Sequence, residues 1–323
     1  MAMVRWFTTW MAAIALVAAQ TASAQTAPGT AQTAASADDP ASTFTVTGNR
    51  FTAETLTRAA EGFVQDHGKA SPRLNQLTRW QAAVCPEVMN VPKDVASFLT
   101  TRIKTIAAQV GAPTRENCKR DIEIIFTDAP QALMDAVADK RPFLLGYHFV
   151  SQTAKLSRVT QAIQAWYVTA VRDGAVTVVD DPYYVSGAND PLRDQFHGNG
   201  GSRLSHDMAS VFDNIVVIVD TTKIEGETFG SLADYLTMLV LAQPVADGQC
   251  NPLPSILDLF ADSCPDGRKT RALSPADKAY LEGLYAVNAD SVGSQQRAAI
   301  TTHMLQSLAP SIAPTDGAAP AAK

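Results

Sequence analysis

Five histidines are the residues of this 323-residue chain best suited to metal or acid–base chemistry: His67, His148, His197, His206 and His303. His197 and His206 share a glycine-rich stretch, Pro182 to Asp207, with Asp194 and Asp207 nearby. Imidazole and carboxylate together can hold a divalent cation that activates water, but this spacing matches no rigid ligand motif. A solvated loop is the plainer expectation there, and a metal-dependent hydrolase with a non-standard site built on His197 and His206 is the alternative. His148, within LLGYHF, suits a hydrogen-bonded, partly buried histidine better than a general base.

Adjacent carboxylates at Asp180-Asp181 follow a strand pattern and could suggest a glycosidase or metal pair. Neighbouring strand residues point to opposite faces, however, and Pro182 makes this an ordinary turn start. The serines form no nucleophile elbow; GNGGSRLS around Ser202 lacks a strand–turn–helix setting. HGNGGS likewise fails as a phosphate or dinucleotide loop, because it does not join a strand to a helix. No organic cofactor is implied.

Four cysteines, Cys85, Cys118, Cys250 and Cys264, are an even set without a C-x-x-C pair, so two structural disulfides are expected rather than zinc. Three pairings are possible. Cys85–Cys118 with Cys250–Cys264 is preferred, since each joins neighbours flanked by turn residues. That suits the N-terminus: Arg5, the apolar core Met11 to Ala19 and the Ala22-Ser23-Ala24 cleavage signal read as a signal peptide over 1–24. The apolar core is too short for a comfortable span, and no later run suggests a transmembrane segment. No cysteine follows the cleavage site to carry a lipid anchor. The expected location is periplasmic or secreted. A net charge of −6 without a basic cluster argues against nucleic acid or anionic lipid as the main partner.

Between an expected disordered linker (25–44) and an expected disordered tail (309–323), residues 45–308 read as one domain. Thr52 can cap a helix from Ala53 to His67. LTRWQAAVCPEV suggests an extended segment ending near Cys85. Pro92 opens a helix with Val95, Phe98, Leu99, Ile103, Ile106 and Val110 on one face, stopped by Gly111 and Pro113. DIEIIFT is a strand with Ile122, Ile124 and Phe126 on one side, and Pro130 starts a short helix. AIQAWYVTAVRDGAVTVVDD is a hairpin turning at Asp173-Gly174. VFDNIVVIVD is apolar on both faces and suits the centre of a sheet. SLADYLTMLVLAQP is a buried helix. Ser274, Pro275 and Asp277 cap another, and a last helix from near Ser294 buries Ile300, Met304 and Leu308. The fold class is α+β: a single mixed β-sheet packed with helices, and a helical C-terminal part.

This order, with PSILDLF where a Met-turn would lie and LSPADKAYLEGLY after it, resembles metzincin-like zinc peptidases of the zincin fold over about residues 92–285. The resemblance implies a cleft beside the helix SLADYLTMLVLAQ. It does not imply their chemistry. Where HExxH would place two zinc ligands four residues apart, this helix has Ala233 and Thr237, with Asp234 at the glutamate's position. The resemblance therefore implies a pseudopeptidase: a non-catalytic binding or scaffold protein of the bacterial envelope, holding a peptide or an envelope protein. Asp220, Asp234 and Tyr235 are its candidate cleft residues, with the Pro182–Asp207 loop and Thr221–Gly230 at the rim. For Asp234 the plainer reading is a polar residue that complements the helix dipole.

Overall fold

The run IVVIVD forms the middle of the longest strand. Its alternate residues are buried on both sides, which sets the layering of the described residues. The computed structural model describes residues 51–174, 176–180, 207–245 and 250–312. The expected signal peptide, the linker, the 182–206 loop with His197 and His206, and the tail beyond 312 lie outside the described residues.

Among the described residues, five strands form one sheet: β1 (Pro86–Met89), β2 (Ile122–Thr127), β3 (Ile163–Asp173), β4 (Val176–Val179) and β5 (Ala209–Asp220). Their spatial order is β1-β2-β5-β3-β4. The β1–β2 and β2–β5 pairs are parallel, while β3 runs antiparallel to both β5 and β4. The sheet is therefore mixed, and β5 is central as its sequence anticipated. Gly174, with φ +53°, takes the left-handed turn of the β3–β4 hairpin.

Seven α-helices lie among the described residues: α1 (Ala53–His67), α2 (Lys93–Gln109), α3 (Pro130–Lys140), α4 (Thr153–Leu156), α5 (Phe229–Leu241), α6 (Pro275–Ala286) and α7 (Gly293–Ile312). Ile215, Val217 and Val219 of β5 join the main core with residues of α1, α2, α5, α6 and α7. Val216 and Ile218 face the other way, onto Met134 of α3, Leu144, Leu145 and Trp166. A period of two thus divides one strand between two cores.

Local signals hold where their partners are local. Thr52 accepts the Thr55 amide at the start of α1, and Ser274 and Asp277 form a reciprocal capping box on α6. Both cysteine pairs are bonded, Cys85–Cys118 and Cys250–Cys264. No helix of the described residues is long and apolar enough to cross a membrane.

Three expectations need correction. The strand near Cys85 starts at Pro86, after the cysteine, and the preceding segment makes only isolated bridges, Leu77 to Ala70 and Arg79 to Val211. A proline is tolerated there because β1 is an edge strand. Phe98 is 46 % exposed, because it sits one residue from Leu99, about 100° around α2 from the buried face. The last helix runs to Ile312, past the expected boundary at 308; buried Leu308 secures its final turns.

The C-terminus of α5 is the most demanding point of the fold. A buried helix end leaves carbonyls that water cannot reach. Here three aromatic donors from elsewhere in the chain serve them: Tyr167 OH to the Leu239 carbonyl (3.0 Å), Trp80 Nε1 to Val240 (2.6 Å) and Tyr285 OH to Leu241 (3.0 Å). Thr228 caps the opposite end by accepting the Ser231 amide.

Candidate binding cleft

A cleft of about 700 Å³ opens beside α5. Tyr235 and Leu239, one turn apart on that helix, contribute to its floor with Leu257 and Phe260 from the PSILDLF segment. Tyr235 meets Phe260 edge-on at a ring separation of 5.0 Å. Ile256–Phe260 is a 3₁₀ turn, whose amide at Leu257 donates to the Ser255 hydroxyl. Residues 160–162, leading into β3, form another wall, and Lys223 and Lys269 supply positive charge at the margin. The lining mixes apolar side chains with polar ones, Asp66, Asn251, Asp258 and Asp262 among them, as small-ligand and peptide sites often do.

The candidate residues from the sequence separate in space. Tyr235 lines the cleft. Asp234 does not: its carboxylate receives Arg102 Nε at 2.6 Å and Nη2 at 3.1 Å, and also the Leu273 amide at 2.9 Å. It ties α2, α5 and the approach to α6 together, a tertiary role in place of the dipole role that its position suggested. Asp220 closes the turn after β5, accepting from the Thr222 amide and hydroxyl and pairing with Lys223 at 3.2 Å. The Thr222 hydroxyl, with help from Lys223, holds the Asp220 carboxyl below its usual range. Lys223, rather than Asp220, reaches the cleft.

Ala233 and Thr237, which the resemblance set against the two helix ligands of a zinc peptidase, face the core. Both are fully buried, and the Thr237 hydroxyl donates to the Ala233 carbonyl at 2.7 Å. Asp180 is buried, accepts from Thr169 Oγ1 and lies 3.0 Å from Arg73 Nε; burial raises its pKa. It locks the hairpin to the chain near residue 73 and bonds no second acid there. Asp181 lies outside the described residues.

Sequence reading assigned no role to His67. It lies against the cleft at the end of α1, stacked on Phe63 at 3.7 Å. Its Nδ1 donates to the Phe63 carbonyl (2.8 Å) and its Nε2 lies 3.0 Å from Ser255 Oγ. Ser255 Oγ in turn lies 2.6 Å from Asp277 Oδ1, while Asp277 Oδ2 receives the Ile256 and Ser274 amides. A serine nucleophile needs a histidine between it and the carboxylate. Here the serine is in the middle, its carboxylate partner is bonded to it directly, and it is fully buried. The cluster is a clasp joining α1, the 3₁₀ turn and α6. The only sequence signal for it was the Ser274–Asp277 box, which predicts the cap and says nothing of His67.

Among the described residues, one group has metal-like proximity, Cys250, Cys264 and Asp258. Its sulfurs are bonded to each other, so neither offers a thiolate. No protein-family model, curated protein or solved structure matches the chain.

Proposed function

We propose that this protein binds a short peptide or peptide-like segment in the cleft beside α5, without catalysis, outside the cytoplasm. One observation carries the reading. The lining includes Tyr235, Leu239, Leu257 and Phe260, while three polar side chains beside them are committed to structural bonds: His67 to Phe63 and Ser255, Asp66 to Asn251, and Asp258 to the Ser255 amide. A surface of this shape can bury apolar side chains and satisfy a backbone at its rim. Two disulfides are compatible with an oxidising compartment. The zincin-like relationship remains part of this proposal; its support is a buried helix following the central strand and a cleft alongside it.

The test is capture from envelope extract, with bound peptides sequenced by mass spectrometry. Ala261 is half-buried on the cleft wall, so Ala261→Trp should fill the space while leaving the core intact. Wild type should retain a defined set of peptides at unchanged mass, and the variant should lose them at an unaltered unfolding midpoint. Capture that is indifferent to the tryptophan would refute the assignment of the site. Progressive cleavage of the captured peptides would refute the absence of catalysis.

A further inference from the structure

The connection between α3 and β3 carries an exposed apolar patch that the cleft does not use. Phe143 is 62 % exposed, Phe149 58 % and Val150 63 %, the three most exposed large apolar side chains among the described residues. They project from two 3₁₀ turns, Pro142–Leu145 and Val150–Gln152, with α4 packed against both. Tyr147 lies 6.3 Å from the Phe149 ring.

The segment is held firmly from beneath. Leu144 and Leu145 are buried in the second core. Gly146, at φ +80°, passes so close to β3 that a Cβ would lie 2.2 Å from the Tyr167 carbonyl. Buried His148 bridges the Gly146 carbonyl and the Thr153 hydroxyl, the Phe149 amide donates to Gln152 Oε1, and Trp166 Nε1 donates to the Leu156 carbonyl. Three apolar side chains presented outward by a firmly anchored loop incur a hydration cost that nothing in the fold requires.

The charge around them identifies what could cover them. Residues 140–160 contain Lys140, Arg141, Lys155 and Arg158 and no aspartate or glutamate, while the whole chain carries −6. All four cationic side chains are exposed, and none makes an ion pair among the described residues. The nearest acids in sequence, Asp135 and Asp139, are exposed on α3, the helix that ends at Lys140. Net charge alone spoke against anionic lipid, but exposed aromatic and aliphatic tips within a stretch that also carries four exposed cations match a bilayer interface, where apolar groups enter the acyl boundary and cations meet anionic headgroups.

We infer that the 140–158 segment is a docking surface for an anionic lipid bilayer, seating the described domain on a membrane face. The test is co-sedimentation with vesicles of phosphatidylcholine alone or mixed with phosphatidylglycerol. The protein is the chain as processed by an exporting cell, its N-terminus read by mass spectrometry. Wild type should pellet with the mixed vesicles only and be released by salt, because a basic group near an anionic surface is worth roughly fivefold in partitioning. K140E/R141E and F143S/F149S/V150S should each weaken binding about tenfold or more at an unchanged circular dichroism spectrum. Equal binding by the triple serine variant, equal binding to both vesicle types, or indifference to salt would overturn the inference. So would vesicle-free self-association of wild type that the triple variant abolishes, since that would assign the patch to a second copy. Should a variant fail to fold, the lipid and salt dependence of wild type still decides.

Discussion

Replacing Asp277 with asparagine should flatten part of the pH dependence of stability while keeping the clasp. His67 Nδ1 faces a carbonyl, so it carries a hydrogen. Two contacts remain, Nε2 to Ser255 Oγ and Ser255 Oγ to Asp277 Oδ1, and the hydroxyl hydrogen can serve only one of them. The other needs a proton on Asp277 or on Nε2. The geometry therefore calls for one extra proton in the folded state. In agreement, burial pushes the Asp277 carboxyl up to about 6, despite the hydrogen bonds from Ser255, Ile256 and Ser274 that favour the anion.

An unfolded aspartate titrates near 3.9. Between about pH 4 and about pH 6 folded Asp277 thus holds a proton that the unfolded aspartate has released, so its contribution to stability falls as pH rises through that window. The contribution is fully present below the unfolded value and lost above the folded one. At about 1.4 kcal/mol per pH unit it amounts to about 3 kcal/mol. Asparagine reproduces the protonated pattern: its oxygen accepts the Ile256 and Ser274 amides, its NH₂ donates to Ser255 Oγ, and Ser255 donates to His67. Urea unfolding followed by circular dichroism from about pH 4 to about pH 8 should show D277N gaining about 3 kcal/mol relative to wild type. Asp121, also raised to about 6 by burial, slopes the same way in both proteins and cancels in the difference. Parallel pH profiles for the two proteins would refute the reasoning.

Asp234→Ala should cost about 3 kcal/mol in the same urea assay, because it orphans the buried Leu273 amide and removes both Arg102 contacts. Peptide capture at the cleft should be unchanged in that variant at temperatures where it is folded, since the side chain faces α2. Removing Cys250–Cys264, a bridge across 14 residues, should cost about 3 kcal/mol, and removing Cys85–Cys118, across 33, about 4 kcal/mol, on a chain-entropy argument read by thermal unfolding.

Much of the architecture was legible because its causes are short-range. The capping box at Ser274, the turn at Asp173-Gly174 and the two-sided burial of IVVIVD each depend on residues a few positions apart, where backbone geometry alone sets the neighbours. The helix of α5 was equally plain, as was its lack of zinc ligands. The side of α5 that would form a cleft was not. Asp234 and Tyr235 are adjacent in sequence but point in different directions, one to an arginine 132 residues away and the other to Phe260.

The short turns between α3 and β3 escaped notice because they have no period to detect; apolar residues in PFLLGYHFV are buried or exposed according to what lies beneath. Phe98 shows the same limit on α2, where an apolar side chain one step off the stripe reaches solvent. Composition and local pattern were enough to specify a mixed sheet, its central strand, its capped helices and a preference for two disulfides. Burial then decided which polar groups were used up. His67 and Ser255, 188 residues apart, acquire their meaning only when folding excludes water and forces each to find a partner.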